Sequence, residues 1–373
     1  MAYLGENIKK LGFGLMRLPV IGDEIDIEQT KTMVDMFMEK GFTYFDTAYG
    51  YSNGKSEEAA KVALVDRYPR ESFQLATKLP AWAGPKTAEE AKEMFWTSLR
   101  RTGAGYFDYY LLHNLGEART KSFDDYGIWA FLSEQKEKGL IKHLGFSMHD
   151  KADALDKVLT EHPEMEFVQL QINYADWESP SVEARKCFEV ARKHQKPIII
   201  MEPVKGGSLA TLPESMASIL KNANPSLSVP SWAIRYAASL EGLITVLSGM
   251  SNIEQMEDNL SFMTDFKPLD DAEKAVIEKV QEALSSSNRI PCTDCKYCVK
   301  DCPVNIAIPN IFNAMNNHLV YDNLAGAKRS YGFSTSNGRL ASTCIECGQC
   351  ENACPQHIEI ISELKKIAAL LEA

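Results

Sequence analysis

The chain has 373 residues, of which 45% are hydrophobic and 24% are charged, and its formal net charge is −11 at pH 7. This composition is typical of a globular protein, and its acidity argues against a nucleic-acid partner because phosphate binding needs a basic face. The sequence shows no signal-peptide pattern and no apolar run of the ~18–20 residues that cross a membrane, so we expect a cytoplasmic protein without a membrane partner.

Short β-rich runs alternate with amphipathic helical stretches from the start of the chain to about residue 285. The predicted strands are Lys10–Phe13, Thr43–Asp46, Phe73–Lys78, Tyr109–His113, Leu144–Ser147, Val168–Ile172, Pro197–Glu202 and Leu243–Leu247. Predicted helices between them include Asp26–Lys40, Glu57–Asp66, Ala88–Arg101, Tyr126–Lys138, Lys151–Glu161 and Val182–His194. This alternation is the pattern of βαβ units and a parallel sheet.

Eight such units over residues 1–284 fit the size of a (β/α)₈ TIM barrel. A doubly wound open sheet remains the alternative, since periodicity does not distinguish the two. Ser285-Ser286-Ser287-Asn288 reads as a linker to a second domain, residues 285–373, for which we expect a mainly α-helical ferredoxin fold with helices over Pro309–Lys328 and Ile358–Leu371.

Eight of the nine cysteines lie in two copies of one pattern, C-x-x-C-x-x-C-x-x-x-C-P. This spacing holds two [4Fe–4S] clusters in bacterial-type ferredoxins, where the fourth cysteine of each run ligates the other cluster. The spacing therefore assigns one cluster to Cys292, Cys295, Cys298 and Cys354, and the second to Cys344, Cys347, Cys350 and Cys302. Structural zinc usually takes paired C-x-x-C units, which fit these runs poorly, and nothing marks the chain for export and disulfides.

The ninth cysteine, Cys187, lies in a predicted helix and is expected to be a buried apolar residue.

The first strand–loop boundary reads Asp46-Thr47-Ala48-Tyr49-Gly50-Tyr51, and Ser56-Glu57 opens the next helix. Here the chain resembles the aldo-keto reductase family. The resemblance continues, in the correct order, at Ala76-Thr77-Lys78, Asp108–His113, Leu144-Gly145-Phe146-Ser147 and Gly249-Met250-Ser251-Asn252.

The family's catalytic tetrad falls on Asp46, Tyr51, Lys78 and His113. The resemblance implies that Tyr51 is the general acid/base, that a nearby Lys78 lowers its pKa from the usual ~10, that Asp46 orients Lys78, and that His113 supports the developing oxyanion. Considered one at a time, Tyr51, Lys78 and His113 are explained at least as well without a catalytic role, as a loop tyrosine, a surface lysine and a core histidine. Together at the carboxyl ends of strands they favour an active site.

The resemblance also implies a nicotinamide cofactor, NADP(H) or NAD(H). Its contacts are expected from Gly14, Met16, Arg17, Asp46, Ser147, Gln169, Met201, Pro203, Gly207, Gly249, Ser251, Asn252, Gln255 and Asn259. Three positions depart from the family pattern: Met16 replaces a common Trp, Met148-His149 replaces the Asn after Ser147, and Met201 replaces an aromatic ring. Gly249–Asn252 contains no Lys or Arg, so NAD(H) stays open.

These features predict an oxidoreductase that interconverts a small carbonyl compound and its alcohol, with a ferredoxin domain that exchanges electrons with an external carrier. Hydride transfer moves two electrons and each cluster moves one, so direct coupling calls for a converter such as a flavin, for which no motif is evident. The alternative is an electron-transfer or redox-sensing protein whose barrel binds nicotinamide or serves as a scaffold with little turnover.

Overall fold

The computed structural model describes residues 3–117, 119–180, 182–287, 289–292, 296–300, 302–336, 338–354 and 356–373. The chain forms two compact units, one of Met1–Val204 with Ser231–Asp271 and one of Lys205–Pro230 with Ala272–Ala373. The boundary expected at residues 284/285 stays a prediction. In the described residues no helix is both long and apolar enough to cross a bilayer.

The first unit is built on a closed barrel of eight parallel strands, which confirms the predicted fold and excludes the open sheet. The strands, including a small hairpin of β2 and β3, are β1 (Leu11–Gly14), β2 (Val20–Ile21), β3 (Glu24–Ile25), β4 (Tyr44–Asp46), β5 (Gln74–Leu79), β6 (Phe107–Leu115), β7 (Ile141–Met148), β8 (Val168–Gln171), β9 (Ile198–Met201) and β10 (Leu243–Ser248). Strands β4 to β10 follow one another around the barrel, and β1 closes it between β10 and β4. All eight predicted barrel strands are confirmed.

The helices up to residue 285 are α1 (Ile27–Glu39), α2 (Lys55–Ala60), α3 (Ala88–Thr102), α4 (Thr120–Asp125), α5 (Ile128–Glu137), α6 (Ala152–Glu161), α7 (Ala184–Lys193), α8 (Glu214–Ala223), α9 (Val229–Ala238), α10 (Ile253–Met263) and α11 (Asp271–Ser285). The predicted helix Glu57–Asp66 is two elements, since α2 passes into a π-helical turn at Lys61–Val65. Ser285, expected in a linker, is the last residue of α11, and Asn288 lies outside the described residues.

Two apolar layers stabilise the barrel. Inward-facing side chains fill its interior, among them Tyr44, Tyr109, Phe167 and Ile199. The outward-facing side chains of the strands pack against the helices in a larger core. Successive strand residues alternate between these two layers, and both layers are apolar. Polar side chains of a site are therefore expected at the rim formed by the carboxyl ends of the strands.

The cysteine-rich part of the second unit is helical, as predicted. Its helices are α12 (Tyr297–Lys300), α13 (Ile308–Tyr321), α14 (Leu324–Ser334), α15 (Gln349–Asn352) and α16 (Ile360–Leu371). The stretch Pro309–Lys328, predicted to be helical, is divided between α13 and α14 by a break at residues 322–323. Asp322 takes a left-handed conformation with φ of 51°, and the Asn323 side chain accepts a hydrogen bond of 2.8 Å from the Gly326 N–H, which caps a new helix.

Candidate functional site

Four side chains predicted to act together meet at the rim of the barrel. The Lys78 ammonium, fully buried, donates to Asp46 Oδ1 at 2.5 Å and lies 3.5 Å from Tyr51 Oη. The His113 ring stands edge-on to the Tyr51 ring, with centroids 5.9 Å apart. Asp46, Lys78 and His113 stand near the carboxyl ends of β4, β5 and β6. The parallel register pairs Asp46 with Ala76 and Lys78 with Leu111, so each side chain lies two residues beyond the partner of the one before it.

Electrostatics in this group is governed by burial and by the Lys78 charge. Burial acts to lower the pKa of Lys78, but Asp46 and Tyr51 outweigh it and hold that pKa above its ordinary value. Burial raises the pKa of Tyr51, while Lys78 acts to lower it and Asp46 raises it further. Lys78 therefore acts on the Tyr51 pKa in the predicted direction, but desolvation of the phenol is larger and the net shift of this pKa is upward.

The His113 ring is neutral near pH 7. Burial, followed by the positive charges of Lys78, His149 and Arg119, places its pKa well below the ordinary value. Its buried Nδ1 has no hydrogen-bond partner, and its backbone oxygen accepts from Trp82 Nε1 at 2.7 Å. A neutral imidazole can donate one N–H to a carbonyl oxygen without adding a second charge to the site.

A brace beneath the Tyr51 loop was missed by the sequence analysis. Arg101 on α3 donates to the Tyr49 carbonyl at 3.0 Å and to Glu57 at 3.2 Å, and the fully buried Glu57 accepts from Thr77 Oγ1 at 2.7 Å. The brace ties the loop that carries Tyr51 to the strand that carries Lys78. The Ser56-Glu57 motif signalled the helix start, but nothing in the sequence linked it to Arg101.

The residues expected around the nicotinamide carboxamide lie at the ends of β7, β8 and β9. Ser147 Oγ accepts from the Asn114 N–H at 2.8 Å, which leaves its own proton available to donate. Gln169 donates to Met201 Sδ at 3.5 Å, and its buried Oε1 has no partner. A carboxamide offers one acceptor and two donor hydrogens, so this donor and this orphaned acceptor fit it.

Asn114 is a second residue that the sequence analysis missed. It follows His113 with φ of 60°, and its buried Oδ1 has no partner. Asparagine tolerates this conformation better than most residues. Strand β6 runs on to Leu115, beyond the predicted end, because Leu115 pairs with Met148 of β7 after a register shift.

The residues expected at the adenosine end are partly occupied in capping α10. Asn252 caps the helix by accepting from the Gln255 N–H at 2.9 Å, Gln255 accepts from the Ser251 N–H at 2.8 Å, and Asn259 donates to Ser248 at 2.8 Å. The side chain of Arg17 lies beside this loop, because a Cβ placed on Gly249 would be 3.7 Å from it.

Four further residues, Gly14, Met16, Pro203 and Gly207, were predicted to contact the cofactor. Gly14 ends β1 next to Ser248, Met16 is 57% exposed, and Pro203 is buried two residues after β9. Gly207 lies in a short 3₁₀ turn, Lys205–Gly207, that belongs to the second compact unit.

Cys187 is buried, as expected, and burial raises the pKa of its thiol to about 12.

Cysteines line two cavities in the second unit. Cys292, Cys298 and Cys354 line the first, with an apolar wall that includes Ile308 and Phe312. Cys295 lies outside the described residues.

The second cavity is lined by Cys302, Cys344, Cys347 and Cys350. In each cavity the lining therefore joins cysteines of one run to the fourth cysteine of the other run. Backbone N–H groups of Ile306 and Glu346 point at the sulfurs of Cys302 and Cys344, each at 3.4 Å. Thiolate sulfurs that accept N–H bonds in an apolar cavity are the surroundings of an iron–sulfur cluster.

The family model of the aldo/keto reductases matches residues 10–282. The chain belongs to the aldo/keto reductase family. A model of a 4Fe-4S dicluster domain matches residues 291–359, so the chain is an oxidoreductase of this family followed by an iron–sulfur ferredoxin domain.

Curated relatives match most of the chain. The uncharacterized oxidoreductase YqkF of Bacillus subtilis is 24% identical over 313 residues, which cover 76% of this chain and 96% of that protein. The 9,11-endoperoxide prostaglandin H2 reductase of Trypanosoma cruzi is 25% identical over 280 residues, covering 74% of this chain and 89% of that protein.

Solved structures share the barrel. The holo form of aldo-keto reductase AKR11C1 from Bacillus halodurans has a TM-score of 0.58 at 26% identity, covering 75% of this chain and 95% of that one. An aldo-keto reductase from Klebsiella pneumoniae in complex with NADPH has a TM-score of 0.56 at 22% identity, covering 74% and 91%. At that identity the Klebsiella structure shows the fold alone.

Proposed function

We propose that the barrel is an NADP(H)- or NAD(H)-linked oxidoreductase that interconverts a small carbonyl compound and its alcohol, with Tyr51 as the general acid/base. The observation that carries the proposal is the convergence of Tyr51, Lys78, Asp46 and His113 at one place on the rim. A barrel that acted only as a scaffold would not need the buried ammonium of Lys78, because burying a charged group lowers the stability of the fold.

The nicotinamide supplies a hydride to the carbonyl carbon. The chain's own residues handle the charge that then develops on oxygen: Tyr51 gives its phenol proton to that oxygen, and His113 donates an N–H to it. Lys78 favours the tyrosinate left behind, which lowers the cost of the proton transfer. In the reverse direction the same tyrosinate takes the proton of the alcohol.

The cofactor is held, in this proposal, by the predicted residues at the rim. Ser147 donates its hydroxyl proton to the carboxamide oxygen, and Gln169 Oε1 accepts from the carboxamide NH₂. The side chain of Arg17 lies 3.7 Å from a Cβ placed on Gly249 and offers the positive charge that a 2′-phosphate requires.

The second unit carries two [4Fe–4S] clusters with crossed ligands. The lining of the two cavities supports this assignment, and the apolar walls and N–H···S bonds suit the clusters. Cys347 is exposed, whereas the other described cysteines of the two runs are buried or partly buried. We therefore place electron exchange with an external carrier at the Cys347 edge of the second cluster.

Replacement of Tyr51 by Phe tests the proposed chemistry. Tyr51→Phe removes the proton donor and leaves the ring in place, so carbonyl reduction by cluster-loaded protein falls by about 10²- to 10⁴-fold. Nicotinamide binding, measured by fluorescence titration, stays within about twofold because no predicted cofactor contact is lost. Equal turnover of aldehydes and ketones by wild type and variant would reject Tyr51 as the acid/base.

A further inference from the structure

We propose that the barrel site is built for a carbonyl substrate that carries a carboxylate, and that Arg119, held against Trp82, is the residue that binds this carboxylate. The inference rests on the proposed carbonyl–alcohol function and names its substrate class. It adds a binding residue outside the tetrad, on a loop where substrate selection in this fold is expected.

Trp82 connects Arg119 to the reacting groups. Its indole N–H donates to the His113 backbone oxygen at 2.7 Å, and its ring lies 6.5 Å from the His113 ring. The Arg119 guanidinium lies 4.6 Å from the centre of the Trp82 ring. Arg119 and His113 therefore both contact the Trp82 ring, and the His113 ring in turn makes an edge contact with the Tyr51 ring.

The Arg119 guanidinium lies over the Trp82 ring, and the residue is partly exposed. Stacking on an aromatic ring uses the flat face of the cation, and the N–H groups in its plane remain able to bind a carboxylate with two parallel hydrogen bonds. Among the described residues Arg119 has no carboxylate within ion-pair distance, in contrast to Arg100, Arg101 and Arg185.

The charge around the site is also suited to an anion. Lys78 and Arg119 are permanent cations that act on His113. Lys78 is paired with Asp46, whereas the described residues give Arg119 no carboxylate partner. An anionic group at Arg119 would therefore meet a positive charge that no carboxylate of the described residues neutralises.

The test compares two substrates of equal chain length, succinate semialdehyde and butanal, which differ in a terminal carboxylate. The measured quantity is the ratio of their kcat/KM values in cluster-loaded protein with saturating NADPH. Wild type should favour the acid, and Arg119→Gln should lower the ratio about tenfold through KM, which is the loss expected for one charge-assisted pair. Arg119→Lys should recover part of it, and the nearby exposed Lys121→Gln should leave the ratio unchanged.

A ratio that Arg119→Gln leaves unchanged, or a wild type that favours butanal, overturns the inference while the carbonyl–alcohol function stands. Failure to turn over either aldehyde overturns the proposed function, and the binding of 4-hydroxybutyrate to the NADP⁺-loaded protein, followed by calorimetry, then decides the inference. Weaker binding to Arg119→Gln than to wild type supports it, and equal binding contradicts it.

Discussion

Lys78 is the residue on which the electrostatics of the barrel site depends. It is fully buried, and its ammonium donates to Asp46 and to the Thr47 carbonyl at 2.5 and 2.7 Å. Loss of its charge alone would leave Asp46 buried and unpaired, at a cost of about 3–5 kcal/mol of folding free energy. A variant that probes Lys78 should therefore neutralise Asp46 as well.

The double variant Asp46→Asn/Lys78→Met should shift the pH dependence of alcohol oxidation to higher pH. In the proposed mechanism, oxidation requires the tyrosinate form of Tyr51, so its rate should rise with pH through the Tyr51 pKa. Lys78 lowers this pKa more strongly than Asp46 raises it, and removal of both charges leaves the pKa higher than in wild type. The profile of kcat/KM against pH measures the shift.

Lys61→Met, which removes an exposed lysine, serves as the control and should keep the wild-type profile. A shift of the double variant to lower pH would mean that Lys78 does not act on Tyr51.

At the residue scale, the sequence was informative where a motif fixes both residue type and strand position. Asp46, Lys78 and His113 could be placed because each stands near the carboxyl end of a strand. Asn114 and Arg101 could not, since their roles depend on contacts with Ser147 and with Glu57 that are distant along the chain. Nor could the net direction of the Tyr51 pKa, which depends on how deeply the folded loop buries the phenol.

The loop between β4 and α2 is the element that positions Tyr51. It runs through three successive left-handed residues, Ser52, Asn53 and Gly54, with φ of 49°, 55° and 92°. A Cβ on Gly54 would lie 2.6 Å from the Arg101 guanidinium carbon, in the brace that holds the Tyr49 carbonyl. The path of this loop therefore depends on a glycine at position 54.

Gly54→Ala should displace this loop and lower kcat. The guanidinium of Arg101 must move away from the new methyl group, which weakens its bonds to Tyr49 and Glu57 and misplaces Tyr51; we expect a loss of about 10- to 100-fold. Steady-state kinetics and urea unfolding measure the effect.

Gly139→Ala is the matched control, because Gly139 has φ of 77° and open space around its Cα. Both variants should lose about 1–2 kcal/mol of stability to left-handed strain, but only Gly54→Ala should lose activity. Equal kcat values for the two variants would show that the loop does not position Tyr51.

Helix boundaries in the ferredoxin domain were harder to predict than strands in the barrel. A strand near the barrel core is marked by a short apolar run between turn residues, whereas α13 and α14 share one continuous helical pattern. The break comes from Asp322 in the left-handed conformation and from the Asn323 cap, two polar residues that also occur inside helices.

At the scale of the whole molecule, two chemistries share one chain. The barrel could be predicted because eight strand–helix repeats of regular length leave few alternatives, and the ferredoxin domain because cysteine spacing is specific. The grouping of Lys205–Pro230 with the C-terminal unit could not, since it depends on tertiary contacts that the local pattern does not contain.

The crossed cluster assignment predicts which cysteine variants behave alike. One cluster should change its reduction potential in both Cys302→Ser and Cys344→Ser. The other cluster should change its potential in both Cys354→Ser and Cys292→Ser, since serine replaces one thiolate ligand in each variant. Redox titrations followed by electron paramagnetic resonance resolve the two signals.

The buried, unassigned Cys187→Ser is the control and should shift neither signal. Pairing of Cys302→Ser with Cys292→Ser would show that each run ligates a single cluster.

Transfer of deuterium from the cofactor tests the proposed hydride transfer between nicotinamide and a carbonyl at Tyr51. Cluster-loaded protein is supplied with succinate semialdehyde or butanal and with NADPH deuterated at the transferable position, and the alcohol is analysed by mass spectrometry. The account predicts one deuterium on the former carbonyl carbon, because the hydride moves as a unit. An alcohol whose new C–H hydrogen comes from water would contradict it and would assign the reduction to one-electron steps through the clusters.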